Sequence, residues 1–196
     1  MKQSRGLRNN NPLNIRRTNT IWQGMKTEVK DKSFVEFKTL PYGYRAAWKT
    51  LDTYYKIFER ECKPYTVRNI IGRWAPHNEN DTENYVRIVS RLSGLGGNEH
   101  VPRPQRDCNY DELEKTVRMI AAMTCVENGI DYKDVDMDAI WLGYDLAFGG
   151  RKNGKKKNVP SGSKILLNPK SIPVEIIHTS PWLDEYWDWS PEAFGR

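Results

Sequence analysis

The 196-residue sequence predicts a mainly helical (α+β) protein, with a helical domain, one short β element and a C-terminal extension rich in aromatic residues. Two patterns lead to this prediction. Apolar residues recur at helical spacing in several separate segments. One run, residues 33–37, instead places apolar, β-prone residues on either side of Glu36 and predicts a short strand. A composition of 38% hydrophobic and 11% aromatic residues suits one sizeable core and argues against a disordered chain.

The predicted helices repeat apolar side chains on one face and are bounded by turn or capping residues. In order, they cover residues 44–61, a short stretch from the N-cap Thr66 to Trp74, a stretch from Asp81 or Thr82 to Gly94, residues 111–127 with a stop at Gly129, and residues 138–148. The segment 41–43, Pro-Tyr-Gly, is expected to separate the strand from the first helix, and Trp48 is assigned to the core.

The formal net charge of +6 predicts attraction to polyanions, a class that includes nucleic acids, anionic membranes and the carboxylate-bearing cell wall. The cysteines are three, with no paired metal-ligand spacing, so we expect no disulfide framework, no metal site and no cofactor. No apolar run reaches the roughly 18–20 residues of a membrane span. No apolar stretch follows the basic start, so we expect synthesis in the cytoplasm without a signal peptide.

Several motifs follow one another in a definite order. They are Arg-Gly-Leu-Arg-Asn-Asn-Asn-Pro-Leu-Asn-Ile-Arg at 5–16, Trp-Gln-Gly at 22–24, Tyr-Gly-Tyr-Arg-Ala-Ala at 42–47, Arg-Trp-Ala-Pro at 73–76, and Asn-Asp-Thr at 80–82 followed by Tyr85. In this order, over about residues 5–130, the sequence resembles a family of phage-type virion proteins with a lysozyme-like domain. The resemblance implies a lysozyme-like catalytic domain at residues 1–130, with residues 131–196 packed on it or contacting a partner.

The same order is similar to the middle and end of flagellar-type glucosaminidases, whose catalytic Glu precedes the asparagine-rich turn at the end of a long helix. No acidic residue precedes Asn9 here, but the fourth predicted helix ends in Val-Glu-Asn-Gly at 126–129. We infer a circular permutation that places this helix at the end of the domain. The permutation predicts that the turn at residues 9–14 and Glu127 meet in one cleft.

Glu127 is the predicted catalytic residue. Glycosidic cleavage needs a carboxylic acid that is still protonated near neutral pH, and both an apolar setting and a helix C-terminus raise the pKa of a carboxyl group. The competing carboxylates are those of Glu79, Asp81, Glu83 and Glu99. None is placed well enough to serve as a nucleophile or base, which favours a one-carboxylate mechanism of the lytic transglycosylase type.

Aromatic faces stack on sugar rings, and Asn side chains can hydrogen-bond N-acetyl groups. The predicted substrate-binding residues are Asn11, Asn14, Trp22, Tyr42, Tyr44, Trp74, Asn80 and Tyr85.

The leading hypothesis is therefore an enzyme that cleaves the β-1,4 bond between N-acetylmuramic acid and N-acetylglucosamine in peptidoglycan. The alternative is a non-catalytic wall-binding or virion structural protein. A nucleic-acid-binding module ranks third, supported by the lysine run at 151–157 but by no recognised binding motif. Expected partners are glycan strands and other virion or secretion-apparatus proteins, and the expected location is the virion or the periplasm and cell wall.

Overall fold

The computed structural model describes residues 3–78, 81–106 and 108–149. The helices are α1 (Arg5–Arg8), α2 (Leu40–Arg60), α3 (Val67–Trp74), α4 (Thr82–Ser93), α5 (Tyr110–Asn128) and α6 (Met137–Phe148), with a 3-10 turn at Tyr132–Asp134. The mainly helical class is thus confirmed. No helix in these ranges has both the length and the apolar character needed to span a membrane, and they contain no cluster of metal-binding side chains.

The main core forms where α2 packs along α6 and α5 packs along α4. Trp48 of α2 is fully buried, as predicted, and its indole Nε1 donates to the Ile140 carbonyl at 3.0 Å. The ring of Tyr144 meets Trp48 edge-on, with centroids 5.3 Å apart. Helix α6, which belongs to the predicted extension, therefore shares one core with α2. The expectations for residues 150–196, including the basic loop, lie outside the described residues.

Capping residues set the helix ends largely as predicted. Thr66 accepts a hydrogen bond from the Asn69 amide at the start of α3, and Asp81 does the same for Asn84 at the start of α4. Gly129 ends α5 in the left-handed conformation, at φ 61°. The start of α2 was predicted wrongly, since the helix begins at Leu40. Pro41 lies in its first turn, where proline costs no helical hydrogen bond.

The predicted strand at residues 33–37 is also wrong in detail. Phe34 pairs with Arg16 and Phe37 pairs with Met25, each as an isolated antiparallel bridge. The amide of Val35 donates to the Ile15 carbonyl, whereas the Glu36 carbonyl accepts from Lys26. The segment bonds alternately to two different neighbours, so no continuous ladder forms with either.

The predicted inward pattern of this segment is nevertheless present. Val35 and Phe37 are buried in a second, smaller apolar cluster together with Ile15 and Ala46. Trp74 packs against both this cluster and the main core. The seam between the two clusters therefore runs past the end of α3.

The turn at residues 9–14, here called the asparagine turn, is seated directly on α2. A Cβ added at Gly43 would lie 2.1 Å from the Asn10 carbonyl oxygen and 2.7 Å from Pro12 Cδ. Backbone thus approaches backbone at a distance that no other residue permits. This approach fixes the asparagine turn relative to the helical core.

Gly43→Ala should lower the free energy of unfolding by about 1–3 kcal/mol, because the added methyl group must displace backbone. Gly72→Ala is the matched control, since nothing lies within 4 Å of a Cβ added in that helix. It should be neutral or stabilising by about 0.5–1 kcal/mol. Urea unfolding of both variants measures the difference, and equal stabilities would contradict the close approach.

Candidate active site

Glu127 lies in the last turn of α5, one residue before the helix ends at Asn128. Residues 119–125 of α5, which include Met123 and Thr124, are buried. Glu127 itself is partly exposed. The helix end thus places the Glu127 carboxyl group at the edge of the core.

Side chains from separate segments donate hydrogen bonds to this carboxyl group. The Tyr85 hydroxyl of α4 lies 2.8 Å from Glu127 Oε1, and Trp74 Nε1 of α3 lies 3.3 Å from the same oxygen. Asn14 Nδ2, from the asparagine turn, lies 2.9 Å from Oε2. The carboxyl group is therefore held from both sides in one orientation.

The permutation hypothesis required the asparagine turn and Glu127 to be neighbours, and the bond between Asn14 and Glu127 spans 113 positions of the sequence. The predicted proximity is confirmed. Asn14 adopts φ 49°, a left-handed conformation that asparagine tolerates better than most residues. Its identity therefore suits both the turn and the hydrogen bond.

Burial raises the pKa of the Glu127 carboxyl above the ordinary value of 4.5. The hydrogen bonds from Asn14, Tyr85 and Trp74, and then the positive charge of Arg16, act in the opposite direction but do not cancel it. The position in the last turn of a helix adds to the rise, since the helix dipole disfavours a negative charge there. Burial also holds the pKa of Tyr85 well above its ordinary range, so its hydroxyl stays a donor.

The other residues predicted to contact a glycan fall into two groups, one partly exposed and one buried. Trp22 and Tyr42 are partly exposed and pack against the second cluster, so their contact with a glycan stays a prediction. Asn11 and Tyr44 do not fit the role predicted for them. The Asn11 side chain is 0% exposed and bonds the backbone of Ile15, and Tyr44 is buried against Thr124. Both positions hold the fold together and are out of reach of a substrate.

The competing carboxylates and the predicted contact Asn80 lie in the sequence between the end of α3 and the start of α5. Asp81 caps α4, Glu83 pairs with Arg68, and Glu99 pairs with Lys115. Glu79 and Asn80 lie outside the described residues.

No protein-family model matches the chain. Among curated proteins, it is 39% identical to protein P5 of Pseudoalteromonas phage PM2 over 150 residues, which are 75% of this chain and 84% of that protein. The chain belongs to the P5 family. The phage character predicted from the motif order is thereby confirmed.

This P5-family member contains a positioning residue that the sequence patterns did not reveal. Asn128 Nδ2 donates to the carbonyls of Pro12, at 2.7 Å, and Thr124, at 2.9 Å, while its Oδ1 accepts from Ser4 Oγ at 2.7 Å. Asn128 therefore links the end of α5 to the asparagine turn and to Ser4. No local pattern marked it, because its partner Ser4 lies 124 positions away in the sequence.

A cluster of hydrogen bonds around Asp31, also not predicted, holds the asparagine turn of this P5-family protein. Arg5 donates two hydrogen bonds of 2.7 Å to Asp31, and Asn9 Nδ2 donates another to the same carboxylate. Burial opposes ionisation of Asp31, but these bonds and those from the Ser33 and Phe34 amides hold its pKa well below the ordinary range. Asp31 therefore links α1 and the asparagine turn to residues 31–34.

Glu127→Gln should change stability in a pH-dependent way. The raised pKa means that the folded state keeps the Glu127 proton at a pH where the unfolded state has lost it, so wild type loses stability as pH rises from 4.5 through the folded pKa. The variant lacks this loss. Relative to wild type, it should become more stable on passing from acidic to neutral pH.

Urea unfolding across that pH range measures the difference. Glu114→Gln, on an exposed position of the same helix, is the control and should show no such trend. A Glu127→Gln variant whose relative stability falls as pH rises would mean that the carboxyl pKa is depressed, not raised.

Proposed function

We propose that this P5-family protein cleaves the β-1,4 bond between N-acetylmuramic acid and N-acetylglucosamine, with Glu127 as the catalytic acid. The observation that supports this most is the setting of Glu127: a partly exposed residue at a helix end, whose carboxyl group is oriented by three donors and has a pKa raised by burial. A general acid near neutral pH needs these properties. The motif resemblance supplies the substrate class.

The hydrogen bonds identify the oxygen that would carry the proton. Oε1 accepts from both Tyr85 and Trp74, which occupy its two acceptor positions. Oε2 accepts from Asn14, leaving one position for a proton. We therefore assign the transferable proton to Oε2. The same donors would stabilise the carboxylate that remains after transfer.

The proposed mechanism uses one carboxyl group. A hydrolase would need a second carboxylate or a positioned water, and the described competitors Asp81, Glu83 and Glu99 are engaged in a cap and in ion pairs. In the proposed step, Glu127 protonates the glycosidic oxygen as its bond to the muramic acid C1 breaks. A hydroxyl group of the same sugar then bonds to C1 and returns its proton to Glu127, giving an anhydro sugar.

The P5 family relationship supports a setting for this activity. We propose that the protein is carried in a phage particle and acts on the host cell wall during infection or release. The second candidate function is a wall-binding or structural role in the particle, which an inactive Glu127 site would favour.

Glu127→Gln should reduce cleavage of purified peptidoglycan by about a hundredfold or more, because the amide keeps the shape but cannot donate an acid proton. Loss of turbidity of purified cell walls measures the rate. Glu114→Gln again serves as control and should retain full activity. A folded Glu127→Gln variant that clears walls at the wild-type rate would remove Glu127 from the mechanism.

The one-carboxylate mechanism predicts the product. Mass spectrometry of digested glycan should show muramic acid ends lighter by one water than hydrolytic ends, because no water enters the product. Products with ordinary reducing ends would instead indicate a hydrolase. Glu79→Gln would then test whether that carboxyl group, which precedes α4 in the sequence, supplies the base.

A further inference from the structure

Gly6 lies where α1, the asparagine turn and the end of α5 meet. A Cβ added there would lie 2.6 Å from Asn128 Oδ1, 2.8 Å from Asn14 Oδ1 and 2.9 Å from the Asn11 carbonyl oxygen. A methyl group at such distances forces a neighbour to move. Gly6 belongs to a helix, so its backbone conformation does not require glycine. The close contacts are what require it.

The three oxygen atoms around Gly6 differ in how firmly they are held. The Asn11 oxygen is part of the backbone, and the Asn11 side chain is 0% exposed and hydrogen-bonded. The Asn128 side chain makes hydrogen bonds through both its oxygen and its nitrogen. Asn14 is partly exposed, and its side chain bonds Glu127 through the nitrogen. Of the three neighbours, Asn14 is therefore the one that a group at position 6 would displace most easily.

Helix α1 is anchored on both sides of Gly6. The Gly6 carbonyl accepts a backbone hydrogen bond of 2.8 Å from the asparagine turn. Arg5 donates two hydrogen bonds to Asp31, and Ser4 donates one to the end of α5. Because these bonds hold α1 in place, a methyl group on Gly6 would move the Asn14 side chain in preference to the helix.

We propose that Gly6 is a positioning residue of the candidate site, which by lacking a side chain lets Asn14 keep its amide oxygen against α1 and its amide nitrogen on Glu127. An asparagine amide carries its acceptor and its donors on opposite sides, so the space given to one fixes the direction of the other. Asn14 bonds Oε2, the oxygen to which the transferable proton is assigned. The catalytic meaning of this role rests on the proposed function, whereas the contact does not.

Loss of the Asn14 donor would change the acid in a defined direction. Burial raises the pKa of Glu127, and the hydrogen bond from Asn14 opposes that rise. Without this bond the pKa should rise further, by about one pH unit for a bond to a charged group. The other groups that act on the carboxyl are the donors Trp74 and Tyr85 and the charge of Arg16. All three are present in every variant compared below.

A carbon-13 NMR titration of the full chain measures the pKa of the Glu127 carboxyl directly, and the Glu127→Gln spectrum identifies its signal. Gly6→Ala and Asn14→Gly should each raise this pKa by about one pH unit. Glycine suits position 14, where φ is 49°. The double variant should show no rise beyond that of Asn14→Gly, because the side chain through which Gly6 acts is gone. An unchanged pKa in folded Gly6→Ala, or a rise in the double variant equal to the sum of the two, would overturn the proposal.

Gly143→Ala is the matched control for crowding elsewhere. A Cβ added at Gly143 would lie 2.6 Å from Tyr44 Cβ and 2.9 Å from the Arg45 amide nitrogen, where α6 packs on α2. This variant should also lose stability, but it should leave the pKa of Glu127 unchanged. An equal rise in the control would mean that the titration reports a general loosening of the fold, and the role of Gly6 would fail.

The double variant also decides the case in which Gly6→Ala alone does not fold. Removing the Asn14 side chain removes one of the crowded contacts, so the double variant should fold if Asn14 is the group displaced. If Asn14→Gly folds and the double variant does not, the conflict lies with Asn11 or Asn128. That result would overturn the role of Gly6 in positioning Asn14.

The pH profile of wall clearing separates this inference from the proposed function. If Glu127 is the acid, clearing falls as pH rises through its pKa, and Gly6→Ala should move that fall upward by the same amount of about one pH unit. A wild type that clears no wall would remove the proposed function, and the NMR titration would still decide the role of Gly6. Glu127-dependent clearing together with an unchanged pKa in Gly6→Ala would leave the function standing and overturn the inference.

Discussion

The candidate site depends on one junction, where the last turn of α5 meets the asparagine turn. Asn128 joins the two through the Pro12 carbonyl, and Asn14 joins them through the Glu127 side chain. Successive residues of an α-helix are rotated by about 100°, since a turn holds 3.6 residues. A shift of one position at this helix end would therefore turn the carboxyl group away from its donors. The close seating of Gly43 on the turn fixes the other partner of the junction.

The junction lies at the seam between two apolar clusters, which explains its electrostatics. Trp74 packs against both clusters and is oriented by Tyr54, whose ring centroid lies 6.1 Å away. Its indole N–H donates to the Glu127 carboxyl group, whose charged form is disfavoured by burial. Burial thus disfavours the ionised form of the Glu127 carboxyl group, whereas the hydrogen-bond donors stabilise that form. This balance suits a group that must give up a proton and take one back.

Much of the helical fold follows from local patterns. The caps at Thr66, Asp81 and Gly129 were predictable because each depends on residues within a few positions. The start of α2 was missed because proline is equally compatible with a turn and with a first helical turn. The strand predicted at 33–37 does not form a continuous ladder, because strand pairing depends on which segments lie on either side. The alternation of apolar residues correctly indicated that Val35 and Phe37 are buried. The bridge partners of the segment, Arg16 and Met25, come from two other parts of the chain.

For the site, the sequence by itself determined the chemical types: a glutamate at a helix end, an asparagine-rich turn, and aromatic residues able to contact a sugar. Motif order also indicated that Glu127 and the turn belong together. Only the tertiary structure decided which asparagine and which tyrosine reach the carboxyl group. Asn11 and Asn14 lie in the same turn, but Asn11 bonds the backbone in the core and Asn14 bonds Glu127. Tyr44 and Tyr85 both lie on helices, but Tyr44 is buried against Thr124 and Tyr85 bonds Glu127. The distinction arises because burial and hydrogen-bond direction depend on packing between segments far apart in sequence, which no local pattern specifies.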